Sequence, residues 1–351
     1  HLVSDEYKVV ISNIQTFLAE LRLWLEQVEL RIRAAPEAKR AALENEIAQR
    51  LRATVSSTLN NMFERFEILA ATIPPDLQPA HRAFGQRQLH PYLLCAPFIH
   101  RTYVKPLGYA GDYEMMNMII RNGLEGESLY AKLANAYLLD QGGSQAVRNR
   151  VDLLYERILN ETARAAQLGR VAEIYSIACG PAWEARNFVA KHSLADHAHF
   201  HMLDFNEETL QHAGTRLEEA RRTHHRKTRI QLARNSVQNL LRGRAKSGTS
   251  EPQYDLIYCS GLYDYLNDRI IKALNTYLYE RLRPGGLLVV GNFAPNTPVR
   301  QFIEHFLEWF LIYRDARQLA ALAPAQANAD DCRVVAEPSG ANIFLEVRKP
   351  L

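Results

Sequence analysis

The stretch Glu173-Ile-Tyr-Ser-Ile-Ala-Cys-Gly-Pro-Ala-Trp-Glu184 constrains this 351-residue chain more than any other. Its β-rich apolar run predicts a buried strand ending at Ile177. A tight turn through Ala178 to Pro181 follows, then a helix opening near Ala182. In open α/β sheets a ligand of nucleotide type is received at such a unit: turn backbone approaches it, and the N–H groups of the helix start face it. Strand–glycine–helix units also occur where nothing binds, so the rest of the chain has to decide.

Downstream, strand and helix patterns alternate, the signature of a doubly wound sheet. A second strand, His199 to Phe205, closes on Asp204, 24 positions after Gly180. That is where a carboxylate takes the hydroxyls of a bound ribose. A helix over 206–222 leads to a third strand, Arg229 to Arg234, ending on Asn235-Ser236. A fourth strand, Asp255 to Ser260, runs into Gly261-Leu-Tyr-Asp-Tyr-Leu266. After a helix over 268–282, Arg283-Pro-Gly-Gly286 turns into a fifth strand, Leu287 to Phe293. A long amphipathic helix is expected from Pro298 to Leu322, then a hairpin of 332–336 and 343–347 around Pro338-Ser-Gly340. The expected fold is α/β, a doubly wound, mostly parallel seven-stranded sheet of Rossmann-like type, preceded by a helical domain.

The N-terminal third is helical by period. Ser4 with Asp5 and Glu6 reads as a helix start. Ile11, Ile14, Leu18, Leu21, Leu25, Val28 and Ile32 then form a heptad seam. Pro36 interrupts it, and a second run from Leu43 through Phe66 to Ile73 is stopped by Pro74-Pro75. Two such helices make an antiparallel hairpin. The seam serves either packing on the same chain or a homodimer through the N-terminal helices.

From Pro91 to Tyr113 no period survives, and tyrosines alternate with Gly, Pro and charged residues. A segment this aromatic is expected to lie as a cap against a pocket. Tyr103, Lys105, Tyr109 and Tyr113 are its candidate substrate-facing groups. Asp112 is either the N-cap of the next helix or a carboxylate that binds an ammonium or accepts a proton. Ser144 is expected to cap the helix before the opening strand, with Asn149 and Arg150 turned toward the ligand and Arg148 away from it.

Composition excludes several classes. The four cysteines stand far apart, which argues against a disulfide framework or a zinc knot and fits a reducing, cytoplasmic compartment. No apolar run approaches a membrane span, and the first residues lack a signal-peptide pattern. A net charge of +3 does not demand a polyanionic partner. The basic stretch Arg216 to Lys246 lacks interleaved aromatics and reads as a solvated face, so no nucleic acid is expected. His197, His199 and His201 alternate, but an extended strand sets alternate side chains about 6.5–7 Å apart, so no metal is expected.

The glycine turn after strand one, the acid after strand two, the loop after strand four and Leu-Arg-Pro-Gly-Gly before strand five together resemble class I S-adenosylmethionine-dependent methyltransferases. Ser176 stands where that family commonly has an acid, and Ala178 and Ala182 replace two of three glycines. Ser-Ile-Ala-Cys-Gly-Pro-Ala, with Lys-Pro-Leu-Gly-Tyr-Ala-Gly-Asp-Tyr upstream, resembles a bacterial subgroup of 3-hydroxypalmitic acid methyl ester biosynthesis proteins. Close relatives there are azetidine-2-carboxylate synthases, which cyclise S-adenosylmethionine on itself.

Three parts are expected: a helical hairpin domain over 1–90, read from period, and, within the reach of the resemblance, an aromatic cap and substrate segment over 91–144 and an S-adenosylmethionine-binding domain over 145–351. The resemblance implies backbone contacts to that cofactor at Ala178, Gly180 and Pro181, and Asp204 on the ribose. Phe205 lies beside the adenine with Asn235 or Ser236 at its rim, Ser260 lies near the methionine moiety, and Glu184 is a lesser candidate. The expected activity is methyl transfer in secondary metabolism to a small-molecule substrate, foremost the carboxylate of a hydroxy fatty acid. An ionised carboxylate needs no general base, only a donor or cation such as Lys105, Tyr109 or Tyr263. For a hydroxyl or amine acceptor, Asp112 is the expected base. The alternatives are cyclisation of the cofactor, with Asp112, Asn149 and Ser176 arranging its amine, an RNA methyltransferase, and a non-catalytic binding module.

Overall fold

The computed structural model describes residues 2–243 and 253–351. They form two units: His1–Gln145 with Pro298–Phe310, and Ala146–Thr297 with Leu311–Leu351. The first unit is helical. Ser4 caps α1 (Asp5–Arg33) by accepting the Tyr7 N–H, and Pro36 precedes α2 (Glu37–Ala71). Then come α3 (Gln78–Leu93), α4 (Pro97–Val104), α5 (Tyr113–Arg121) and α6 (Leu129–Leu139). Seam residues Ile11, Ile14, Leu18, Leu25 and Ile32 are buried, and α1 packs on α2, α3 and α6 of the same chain. The seam is therefore consumed internally.

The core of this unit is aromatic. Phe63 meets Phe302 edge-on at 4.8 Å, and Phe66 and Tyr137 pack beside them. Phe302 lies on the short helix Arg300–Phe306, far along the chain. Glu67 secures that helix: its carboxylate accepts the N–H groups of Gln301 at 2.8 Å and Phe302 at 2.7 Å. Those donors have no partner within a helix start, and a carboxylate there also suits the helix dipole.

Three expectations about local structure are corrected. The aromatic stretch from Pro91 is not an aperiodic loop, since α3 continues through Pro91 and α4 occupies Pro97–Val104. Two turns are too short to show a period, and α4 is set by Pro97 at its first turn and by buried Phe98, Ile99 and Thr102. The long helix expected from Pro298 to Leu322 is broken into Arg300–Phe306 and Ala316–Ala320. Glu308 takes a left-handed backbone (φ 49°) between them, and the two pieces belong to different units. Ser144 is no N-cap, because α7 (Gly142–Gln167) has already begun; its hydroxyl donates to the Leu138 carbonyl at 2.9 Å.

From Ala146 on, α7 belongs to the second unit, which is built on β1 (Ala172–Ile177), β2 (Ala198–Asp204), β3 (Arg229–Arg234), β4 (Tyr254–Cys259), β5 (Leu282–Phe293), β6 (Cys332–Ala336) and β7 (Asn342–Arg348). Their order across the sheet is β3-β2-β1-β4-β5-β7-β6. β1 to β5 pair in parallel, and β7 runs antiparallel to both neighbours. Buried residues of α7, α8 (Trp183–Lys191) and α9 (Glu207–Thr223) cover one face; α10 (Val237–Gly243) and α11 (Asp268–Glu280) cover the other. The expected Arg283-Pro-Gly-Gly turn lies inside β5, where the pairing with β4 slips in register between Tyr254 and Leu256 and Gly285 takes φ 73°.

Of the basic stretch from Arg216, Arg216 pairs with Glu219, and Arg221 and Arg222 with Glu218, all on α9. Its end around Lys246 lies outside the described residues. Among the described residues no helix is long and apolar enough to cross a membrane.

Glu67→Ala leaves two helix-start N–H groups without their acceptor beside a buried aromatic core. It is expected to lower the unfolding free energy by about 1–3 kcal/mol in urea titrations.

Candidate active site

The cradle forms where β1 and β2 end side by side. Beyond Ile177 the chain turns sharply: Ala178, Gly180 and Ala182 all have positive φ, between 51° and 54°. Alternate residues of the turn are left-handed, and a Cβ added at Gly180 would meet no atom within 4 Å. The turn therefore presents bare backbone to open space, which suits a ligand at close approach. Ala178 and Ala182 adopt without glycine the conformation that glycine adopts most easily, so the shape survives the sequence departure.

Asp204, at the end of β2, fastens this turn. Its carboxylate accepts the Gly180 N–H at 3.2 Å and the Asn206 N–H at 3.0 Å. The residue is 4% exposed, and burial pushes its carboxyl up, opposed by hydrogen bonds from Asn206, Gly180 and Phe205. A buried carboxylate held by backbone N–H groups gains from further hydroxyl donors. Beside it Phe205 is half exposed, an aromatic face at the strand end. The Asn235 N–H donates to the Asp204 carbonyl at 2.9 Å, and Ser236 caps α10 through the Asn239 N–H at 3.2 Å.

Beneath the turn lies a buried polar network. Glu184, in the first turn of α8, accepts the Tyr258 hydroxyl at 2.8 Å, and burial pushes its carboxyl up. Tyr258 stands opposite Ser176 in the β1–β4 register. Arg150 is buried as well: it donates to the Ser260 carbonyl at 3.3 Å and feels the charges of Asp264 and Glu184. Asp264 takes the Phe293 N–H at 2.7 Å, and burial pushes its carboxyl up to about 6. Arg314 holds the same loop through the carbonyls of Tyr263 at 3.0 Å and Leu266 at 2.7 Å.

The sequence-expected residues thus separate. Ala178, Gly180, Pro181, Asp204 and Phe205 meet at the cradle, with Asn235 next to Asp204. Ser176, Arg150 and Ser260 lie in or beside the network below. Asn149 donates to Glu337 at 2.6 Å, bracing α7 against the β6–β7 hairpin. Tyr263 is corrected outright as a substrate contact: it is 0% exposed and its hydroxyl donates to Asn275 at 2.5 Å in the core.

Tyr103, Lys105, Tyr109, Asp112 and Tyr113 belong to the first unit. Tyr103 packs edge-on against His90, and Lys105 donates to the Glu308 carbonyl at 2.8 Å. Tyr109 and Tyr113 are half-buried. Asp112 is the N-cap of α5, accepting the Met115 N–H, and both its oxygens lie 2.9 Å from Arg101 Nε.

Tyr258 and Asp264 were not expected in the site. A tyrosine inside a buried strand needs a hydroxyl partner, which was the available signal. The alternating histidines also depart from expectation. His199 and His201 meet with ring centroids 4.1 Å apart, because both turn to Glu173 on β1.

A parallel sheet of this order with an antiparallel β7, and a cradle at the ends of β1 and β2, is the Rossmann-like methyltransferase fold. The family model described as a methyltransferase domain matches residues 175–288. No curated protein matches the sequence. Among solved structures, a possible exported protein from Bordetella parapertussis is 16% identical with a TM-score of 0.56, covering 87% of this chain and 97% of that one. Magnesium protoporphyrin IX methyltransferase from Synechocystis PCC 6803, solved with S-adenosylhomocysteine, is 12% identical with a TM-score of 0.44, covering 72% and 98%.

S-adenosylmethionine is the cofactor of this domain class. The bare turn, the Asp204 carboxylate and the Phe205 ring lie together at the ends of β1 and β2, a donor, acceptor and aromatic set that would accommodate it.

Asp264 gives a pH test. Its pKa is higher folded than unfolded, so its contribution to stability is fully present below about 4 and is lost as pH rises through about 6. Urea unfolding of wild type and Asp264→Asn across this range is expected to show the wild type losing stability relative to the variant as pH rises, with a constant difference above about pH 7.

Proposed function

We propose that this protein transfers the methyl group of S-adenosylmethionine to a small acceptor, foremost the carboxylate of a hydroxy fatty acid or a similar metabolite. The observation that carries the reading is the Asp204 carboxylate joined to the Gly180 amide beside an exposed Phe205. When bound, S-adenosylmethionine supplies a methyl carbon on a positively charged sulfur. Backbone at Ala178, Gly180 and Pro181 holds its amino-acid end, Asp204 takes the ribose hydroxyls, and Phe205 covers the base. Arg150, Glu184, Tyr258 and Ser176 keep the floor rigid. Positioning of this kind supplies much of the rate in an in-line displacement.

The state of the acids supports this acceptor class. Around the cradle, Asp204 holds two backbone N–H groups, Glu184 holds a tyrosine hydroxyl, and Asp264, buried in the loop after β4, holds the Phe293 N–H. Each is occupied with structure, which suits an acceptor that is already ionised. A fatty carboxylate, with a pKa of about 4–5 by analogy with Asp and Glu, is such an acceptor at neutral pH. The sequence resemblance to hydroxy fatty acid methyl ester biosynthesis points to the same chemistry.

Incubating the protein with S-adenosylmethionine and a 3-hydroxy fatty acid is expected to yield S-adenosylhomocysteine and the methyl ester in equal amounts. Without the acid, little turnover is expected. Rapid release of methylthioadenosine with no acceptor present would overturn methyl transfer in favour of cyclisation.

A further inference from the structure

The histidines of β2 have no part in the cradle, which lies at the other end of the same strands. Glu173 is four residues before Ile177, about 13 Å along β1 at ~3.3 Å per residue. Glu173 and His199 are register partners in the β1–β2 ladder, and His201 follows two residues on along the same face. One carboxylate oxygen, Glu173 Oε2, lies 2.9 Å from His199 Nδ1 and 2.6 Å from His201 Nε2. Each residue offers one ligand atom, and the three atoms all lie within 4.8 Å of one another.

We propose that Glu173, His199 and His201 form a binding site for a divalent first-row transition ion, which ties the start of β1 to β2. In a tetrahedral site with bonds of ~2.0–2.1 Å, ligand atoms stand about 3.3 Å apart. The present spacing reaches that arrangement with small side-chain movements. Two imidazole nitrogens and a carboxylate oxygen are the donor set of zinc, and of copper, nickel and cobalt, rather than of calcium or magnesium. The side chains are 22%, 17% and 15% exposed for Glu173, His199 and His201, so solvent reaches the site and water completes the coordination.

Supporting geometry surrounds the ligands. The Glu173 N–H donates to Asp255 at 2.9 Å, which fixes the strand position of the carboxylate. Arg229, opposite His199 on β3, opposes any positive charge there and weakens the site without closing it.

The test uses untagged protein freed of metal with EDTA and titrated with zinc by calorimetry at pH 7. One zinc per chain is expected, with a higher melting temperature when zinc is present. Glu173→Gln and His199→Ala/His201→Ala, each verified as folded by circular dichroism, are expected to weaken binding by more than about tenfold. His197→Ala, changing an exposed neighbour, is expected to leave it unchanged. Absence of saturable zinc binding by wild type would overturn the proposal, as would undiminished affinity in the double histidine variant. Either result would mean that Glu173 only accepts hydrogen bonds from the two rings. Neither bears on the cofactor cradle.

Discussion

The second unit depends on one carboxylate. Asp204 ends β2 and reaches across to the turn that follows β1, taking the Gly180 N–H while its other oxygen takes the N–H of Asn206. Burial raises the cost of its charge, and backbone donors offset it. The consequence is a turn held in a left-handed path and an anion whose remaining acceptor capacity suits a diol. Both the shape and the chemistry of the cradle follow from this contact.

Below the cradle, charge is balanced at close quarters. Arg150 is buried with Glu184 and Asp264 around it, and Tyr258 closes the network on Glu184. Ser176 carries no charge; opposite it in the β1–β4 register, Tyr258 bonds the carboxylate of Glu184 from α8. Removing one member of such a network leaves its partners buried without compensation, so the network also sets the rigidity of the floor.

Much of this was legible in the chain. The ends of β1 and β3, the acid at 204, the helix start near Asn206 and the terminal hairpin all follow from strand-length apolar runs bounded by turn residues. The break near Glu308 was not legible, because both halves of the stretch carry helical spacing while serving different units. The aromatic segment hid α4 because two turns carry no measurable period. Asp112 was open in sequence between a helix cap and a functional carboxylate; it does cap α5, and its ion pair with Arg101, eleven residues earlier, was not legible. The histidines misled in the opposite direction, since backbone spacing ignores the freedom of two side chains to converge on a neighbouring strand.

The central claim is that Gly180 and Asp204 form a cofactor cradle, and calorimetry with S-adenosylhomocysteine tests it most directly. The account predicts one site per chain in the wild type, and a loss of about 10–100-fold in affinity in Asp204→Ala, the value of hydrogen bonds to a charged group. Folded wild-type protein that binds no S-adenosylhomocysteine, or an Asp204→Ala variant that binds it as tightly, would contradict it.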